Sequence, residues 1–590
     1  MDFKNAVKAL QIGKKEGEKY RLVTKFGENT KDELPFPEYP RPQMRRENWT
    51  NLNGWWEYAF TKIQKIPEQR EGKILVPFSP ECEASGVKRR LLPDEYLWYF
   101  RTIRFSEIPS GKRLLLQFGA VDQDAVVYCN GSRVRGHLGG YLSFFADLTP
   151  YLKAGENELA VKVRDETDTG WKGRGKQSLA PGGMFYTAQS GIWQSVWMEW
   201  VPETYIERIE ITPEYDTASV KVRVFFNRPD AGLVKKITVR EREAADAKVI
   251  CIRETKADEA ELILGSFTSW SPECPHLYGI SVEAGDDRIE SYFGMRKFGV
   301  GKDEKGITRL FLNGKPYFQN GILDQGYWPE SLYTPPSDEA MIYDIETAKR
   351  LGFNMIRKHL KVECARWYAH CDHIGMLVWQ DMINGGGRSI RTFLLYLPTV
   401  LPFVTTEFKD HCYPLFSRTS ETGRAWWKRE CREAIRQLYN TPCISLWVLF
   451  NEGWGQFDAE EMTEMVRLLD STRQIDHASG WYDQGAGDIK SLHNYFRPLK
   501  VRPEQRAFAF SEYGGYTYPV PGHRYCEKTF GYRTYQNRKQ YQKAMDALAE
   551  KIHQLEREGL AAAVYTQLSD VEEETNGILT YDRRVCKWEK

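Results

Sequence analysis

The sequence predicts a chain of three parts, two antiparallel β-sandwiches followed by a (β/α)8 barrel. Three observations carry that fold class. Up to about residue 297, short β-rich runs alternate with turn signals. After about Phe298 the rhythm changes to strands separated by helices. The stretch Cys443–Asp458, CISLWVLFNEGWGQFD, holds an apolar run that stops at Asn451-Glu452 and then meets Gly453 and Gly455. That is the pattern of a strand buried on both faces, with polar groups at its tip and a sharp turn behind them. At 590 residues the chain is long enough to bury several cores.

Residues 1–40 are polar and broken by Pro35, Pro37 and Pro40, which predicts an extended arm lying over the first domain. Residues 41–201 predict the first sandwich. Its β-rich runs include Tyr96–Phe105, Arg113–Phe118, Ala125–Cys129 and Glu158–Val163, divided by turns such as Asn130-Gly131. Residues 202–297 have the size and rhythm of an immunoglobulin-like sandwich, with strands at Ile206–Ile211, Val220–Phe226, Lys236–Arg240, Lys248–Ile252, Ala260–Leu264 and Tyr278–Glu283. Residues 298–590 predict the barrel. Its strand candidates are Tyr317–Leu323, Asn354–Arg357, Met376–Trp379, Ile444–Phe450, Ser479–Tyr482, Ile489–His493, Ala507–Phe510 and Ala561–Thr566. A helix is predicted over Ser337–Leu351, where a serine and an acidic first turn mark the N-terminus. Others are predicted over Glu363–Ile374, Thr419–Leu438, Ala459–Leu469 and Lys539–Glu558. The insertion Gly385–Phe416 either walls the cleft or touches a second copy of the chain, so a homo-oligomer is one expectation.

Composition narrows the function classes. The net charge is +1 and no block of like charge stands out, so neither nucleic acid nor an anionic membrane surface is expected as partner. No apolar segment approaches the length that spans a bilayer. The N-terminus has no apolar signal region, which predicts a cytoplasmic chain. The 11 cysteines are scattered, odd in number and without a CxxC pair, as suits reduced thiols. The cluster His370-Cys371-Asp372-His373 matches no zinc spacing, so no metal is predicted there. Aromatic residues make up 13% of the chain, a lean toward all-β domains and sugar-stacking surfaces.

Two acidic residues end buried strands in the same way. Glu452 follows the fourth strand candidate and Glu512 the seventh, and glycines come after both. At the C-terminal face of a parallel barrel the two carboxylates rise together and face each other across the mouth. Glycoside hydrolysis needs such a pair: one carboxyl protonates the leaving oxygen, and one carboxylate attacks or stabilises the oxocarbenium-like carbon. A separation of about 5–5.5 Å predicts retention of configuration, and one beyond about 6.5 Å predicts inversion. Asp324, Trp379, Asp381, Trp481, His493 and Tyr495 follow β runs on the same side and are further candidates. Trp379 and Trp481 read either as core or as sugar-stacking faces, and Asp324 as a wall of the sugar pocket.

Several motifs, in order, resemble glycoside hydrolase family 2. They are SGIWQSVWMEWVP at the end of the first domain, WSPECPHLY and YFGMRK in the middle domain, and FLNGKP before the barrel. The resemblance covers about residue 40 to the C-terminus and implies a sugar-binding jelly roll, an immunoglobulin-like sandwich and a (β/α)8 catalytic barrel. It implies that Glu452 is the general acid and then base, that Asn451 holds the sugar 2-hydroxyl, and that Glu512, in SEYG, is the nucleophile. It further implies that Arg357 supports the nucleophile, as a cation there keeps a carboxylate ionised. It also implies a site role for His359, although Arg357-Lys358-His359 is one residue shorter than the family's common form. Two departures stand out after the last strand. Thr566-Gln567 stands where the family often has Trp-Asn, which makes Gln567 a substrate-side candidate. Glu574-Thr575-Asn576 has no lysine where β-glucuronidases carry Asn-x-Lys, and an acidic side chain there would repel a uronic acid. The resemblance implies a retaining exo-β-glycosidase with a carbohydrate substrate and no cofactor. A β-galactosidase is the first expectation and a β-glucuronidase or related uronidase the second. A carbohydrate-binding protein that has lost turnover is the reading from another class, and the presence of both glutamates argues against it.

Overall fold

The computed structural model describes residues 19–28, 34–228, 232–387, 394, 398, 408–502 and 505–589. The first sandwich pairs a four-stranded with a six-stranded antiparallel sheet. Its closing strand, Val196–Pro202, lies between Trp49–Asn51 and Lys112–Phe118. The inward faces of the two sheets meet in one apolar core that includes Trp56, Leu97, Tyr99, Leu116, Val127 and Val161. The second sandwich has a three-stranded sheet containing Ile206–Glu214 and a four-stranded sheet containing Tyr278–Ala284.

The barrel strands are β1 Gln319–Asp324, β2 Met355–Lys358, β3 Leu377–Asp381, β4 Ile444–Val448, β5 Gln474–Asp476, β6 Ile489–Asn494, β7 Ala507–Gly514 and β8 Ala562–Thr566. The helices around them are α1 Asp338–Arg350, α2 Ala365–Ile374, α3 Glu421–Leu438, α4 Ala459–Leu469 and α5 Arg538–Glu558. The parallel sheet runs 5-4-3-2-1-8-7-6. Its seam between β5 and β6 is bridged by the Asp488 N–H to the Ile475 carbonyl at 2.8 Å and the Ile475 N–H to Asp488 Oδ2 at 2.8 Å. Every residue of β4 is buried, as its unbroken apolar run requires. Helix α1 starts where Ser337 Oγ accepts from the Ala340 N–H, so the predicted cap is in place.

Two expectations are corrected, and a third falls largely on residues that are not described. The fifth strand is Gln474–Asp476 rather than Ser479–Tyr482, where Ser479 makes only an isolated bridge to Asn451. A three-residue strand flanked by buried Arg473 and ending in buried Asp476 has no apolar period to read. The arm divides its contacts. Residues 34–40 do lie on the first sandwich, with Asn51 Nδ2 donating to the Phe36 carbonyl at 2.7 Å. Residues 19–28 reach the barrel as well, where the Tyr20 N–H donates to the Tyr525 carbonyl and Thr24 to Glu330, while Arg21 pairs with Glu83 of the first sandwich at 2.6 Å. The insertion Gly385–Phe416 lies largely outside the described residues.

The His370–His373 cluster docks the second sandwich and the first barrel helix. Asp372 accepts from Tyr292 at 2.8 Å and from the Cys443 N–H at 2.8 Å, and its carbonyl accepts from Trp270 Nε1 at 2.9 Å. His373 Nε2 lies 2.9 Å from Glu243 and His370 Nε2 3.0 Å from Asp338. A cavity of about 590 Å3 lies where the arm, both sandwiches, α2 and α3 meet, lined by residues such as Arg41, His137, Phe226, Arg366 and Arg429. The carboxylate pair is not part of it.

Candidate active site

The chain leaves β4 in a turn that aims Glu452. Its N–H donates to the Ser479 carbonyl at 2.9 Å, and its φ of 53° is in the left-handed region, which an ordinary side chain adopts only where its surroundings hold it. Gly453 follows with φ 69°, and a Cβ there would lie 2.4 Å from the Tyr482 ring. Glu512 sits within β7 itself, two residues before the strand ends. The register of β7 slips against both β6 and β8 around this residue, a bulge that turns Glu512 toward the mouth.

One histidine connects the pair. His493, at the end of β6, places Nδ1 2.9 Å from Glu452 Oε1 and Nε2 3.4 Å from Glu512 Oε1. Its Nε2 also lies 3.1 Å from Ser479 Oγ, and the Trp481 ring packs against it with centroids 5.4 Å apart. The Glu452, His493 and Glu512 ligand atoms all lie within 4.8 Å of one another. Among the described residues this is the one group of acidic, His or Cys side chains close enough to hold a metal ion. A cation there would face the guanidinium of Arg357, which already donates to Glu512 Oε1 at 3.2 Å.

Arg357 organises the floor of the site. Nε and Nη2 donate to Asp381 at 2.9 and 3.0 Å, Nη1 to the Ser511 carbonyl at 3.1 Å, and Nη2 also to Asn451 Oδ1 at 2.8 Å. With the Glu512 bond all five of its donors are placed. His359 Nδ1 lies 2.8 Å from Asp381 Oδ2. The Tyr495 hydroxyl donates to the other Glu512 oxygen, and its ring stacks on Tyr532 with centroids 3.7 Å apart.

The electrostatics separate the carboxylates from their surroundings. Burial works against the charge of Glu512, but His493, Arg357, His359 and Lys176 outweigh it and hold the carboxyl down at about 2. Burial likewise opposes the Asp381 charge, and Arg357 with His359 brings it below the usual carboxylate range. The His359 imidazole is shifted down, first by burial and then by Lys176. The Tyr495 hydroxyl is raised well above its ordinary value by burial and by the Glu512 charge, so it remains a donor.

The structure brings together Glu452, Glu512, Asn451, Arg357, His359, Trp481, His493 and Tyr495, with Asp381 beneath them. It corrects three placements. Trp379 is fully buried, and its Nε1 donates to Gln319 Oε1 at 2.6 Å, at the first residue of β1. Its indole therefore fills the barrel toward the N-terminal end, below the mouth. Asp324 accepts from Lys358 with one oxygen and from the Gly326 N–H with the other at 2.8 Å, so it is a buried counter-ion of Lys358. Gln567 is fully buried, and its amide accepts from Gln325 at 2.8 Å and donates to Asn576 at 3.0 Å. Asn576 in turn donates to Glu574 at 3.0 Å, and Glu574 accepts from Tyr186 of the first sandwich. Sequence reasoning passed over Tyr532, which lies in a stretch without periodicity, and took Ser479 for the start of a strand rather than a partner of His493. It also passed over Lys176 and Tyr186, whose approach to the barrel is a long-range contact with no local signal.

A carboxylate pair at the C-terminal face of a parallel barrel, one member fixed by arginine, is the arrangement that glycosidic-bond hydrolysis uses. Comparison with known proteins supplies the family. The sugar-binding domain of glycosyl hydrolases family 2 matches residues 92–202, its middle domain 204–296 and its TIM-barrel domain 308–586. The chain belongs to glycoside hydrolase family 2. A beta-galactosidase of Thermoanaerobacter pseudethanolicus is 24% identical over 451 residues, 72% of this chain and 54% of that one. The chain spans about half the length of the curated relatives it matches. A beta-glucuronidase structure from an uncultured Clostridium superposes with a TM-score of 0.71 at 19% identity, over 92% of this chain and 96% of the other. A GH2 beta-galacturonidase structure from Eisenbergiella tayi gives 0.67 at 19% identity, over 92% and 96%. These two share the fold.

Proposed function

We propose that the chain is a retaining exo-β-glycosidase that releases terminal β-linked sugars by double displacement. The observation that carries this reading is the Glu452–His493–Glu512 cluster, in which one oxygen or nitrogen of each side chain lies within 4.8 Å of those of the other two. Such closeness suits the separation of about 5–5.5 Å that retention uses rather than the about 6.5–9.5 Å of inversion. Glu512, kept ionised by Arg357, attacks the anomeric carbon as Glu452 gives its proton to the leaving oxygen. Glu452 then takes a proton from water, which attacks the same carbon and frees Glu512 as a carboxylate. Asn451 has its Oδ1 engaged by Arg357, which leaves its Nδ2 to donate to a sugar hydroxyl. Trp481, beside His493, offers an aromatic edge to the sugar. The eleven cysteines are free thiols, which supports a reducing, cytoplasmic setting. Among the described residues no helix is long and apolar enough to cross a membrane.

A panel of p-nitrophenyl β-glycosides tests the reading. Wild type turns over at least one sugar, and Glu512→Gln lowers kcat/KM on it by at least about 10³-fold. Sugar binding without turnover on any member would favour a binding protein. Turnover unchanged in Glu512→Gln would falsify the nucleophile assignment.

A further inference from the structure

The segment 172–187 leaves the first sandwich and crosses the mouth of the barrel. Its anchors fix it on two sides. After β3, a Cβ on Gly385 would lie 2.4 Å from the Lys172 carbonyl, and Arg174 Nη1 donates to the Gly386 carbonyl at 3.3 Å. After β2, a Cβ on Gly175 would lie 3.0 Å from the carbonyl of Leu360, the residue that follows His359. After β8, Gly183 and Thr187 donate their N–H groups to Glu573 and Glu572 at 2.8 and 3.0 Å. Between these anchors Gln177 pairs with Tyr186, and the Tyr186 N–H donates to the Lys176 carbonyl at 2.9 Å. Lys176 is thereby held beside the loop that carries His359.

Its chemistry differs from that of the other cations around the carboxylates. Arg357 has every donor placed on Asp381, Glu512, Asn451 and Ser511. Lys358 and Lys361 are held by Asp324 and Glu363. The Lys176 side chain is half-buried and, among the described residues, has no carboxylate partner; its ammonium lies 5.8 Å from the Tyr186 ring centroid. A partly desolvated ammonium with three free donors is satisfied by an anion brought by the substrate. The acidic neighbour that would compete, Glu574, has both oxygens engaged by Tyr186 and Asn576. The Lys176 charge contributes to lowering both the Glu512 carboxyl and the His359 imidazole, in keeping with its place beside the His359 loop.

We infer that Lys176 binds the C5 carboxylate of a terminal uronic acid, and that the chain is a uronidase. This rests on the exo-glycosidase reading above. A pyranose whose C1 meets Glu512 carries one carboxylate position, on C5 of the same ring. The first sandwich, rather than the barrel, then supplies the group that reads the sugar's charge.

The test compares full-length wild type, Lys176→Met and Lys176→Gln. The substrates are p-nitrophenyl β-D-glucuronide, β-D-galacturonide, β-D-galactoside, β-D-glucoside and 6-sulfo-β-D-galactoside. Wild type is expected to prefer a uronide. In both variants the ratio of uronide to neutral kcat/KM falls by about 100-fold, mostly through KM on the uronide. Gln keeps a hydrogen-bond donor without the charge, so a Gln variant that retains the preference would overturn the inference. Equal losses on charged and neutral sugars would also overturn it, since Lys176 would then act only through Glu512. A wild type active on neutral sugars alone, or preferring the sulfated galactoside, removes the uronic acid and leaves the glycosidase reading standing. A wild type inactive on every substrate removes both.

Discussion

At the scale of single residues, the site is organised by the way one arginine is shared. Arg357 is fully buried and joins the Asp381 carboxylate, the Asn451 amide and the Glu512 carboxylate through one guanidinium. Glu512 is held at about 2 against an ordinary 4.5, so its ionisation contributes stability that is fully present above about pH 4.5 and is lost as pH falls toward 2. Glu512 therefore stays ionised throughout the neutral and mildly acidic range, as the proposed nucleophile must. Arg357→Met removes a cation that faces two buried carboxylates. The acid limb of kcat/KM is expected to move upward in pH, because Glu512 then ionises less readily, and unfolding is expected to cost about 3–5 kcal/mol less. A pH–rate profile and a urea titration read both effects. An acid limb that stays in place would show that Arg357 does not set the ionisation of Glu512.

Elements decide how these residues reach one another. The tips of β4 and β7 were legible because both strands are unbroken apolar runs ended by an acid and glycine. The cap of α1 was legible as well, and Ser337→Ala should lower stability by about 1 kcal/mol through loss of the bond from the Ala340 N–H. A thermal melt of the variant against wild type measures it. Other features were not legible for physical reasons. Strand β5 is three residues long and bordered by buried charge, so it gives no periodicity. Strands buried on both faces lack the alternation that says which way a side chain points, and so Trp379 could be placed near the mouth when it fills the floor. Asp324 was read by its position at a strand tip, yet Lys358 on the next strand claims its carboxylate. The tail after β8 also resists local reading. Gly577 is packed so that a Cβ would fall 2.1 Å from the Asp570 nitrogen. Gly577→Ala should shift the loop that carries Asn576 and Gln567 and lower the unfolding midpoint by the equivalent of about 2 kcal/mol or more, read by urea titration.

The whole molecule makes the barrel depend on the sandwiches. Arg46 links Glu199 of the first sandwich at 3.1 Å to Asp287 of the second at 2.9 Å, all three buried. Arg46→Met leaves two buried carboxylates short of a partner, and a loss of about 3–5 kcal/mol is expected at this junction, far from the chemistry. The urea midpoint should fall while kcat of the folded enzyme holds; a matching fall in kcat would mean that the junction also sets the active-site geometry. The segment 172–187 adds a second link, since it is held against the loops after β2, β3 and β8 of a barrel to which it is not contiguous in sequence. The expected β-galactosidase specificity came from the absence of a lysine after β8. Lys176 reaches the barrel from the first sandwich, beside the loop that carries His359, an approach that only the assembled fold brings about.

The central claim is that Glu512 becomes covalently joined to the sugar. Incubation with 2-deoxy-2-fluoro-β-glycosyl fluorides, in the glucuronosyl and galactosyl series, followed by peptide mass spectrometry tests it directly. The account predicts inactivation with one fluorosugar esterified to the peptide containing Ser511-Glu512-Tyr513, and no adduct in Glu512→Gln. Inactivation with the adduct on another carboxylate, or rapid turnover of substrate with inversion and no adduct, would contradict it.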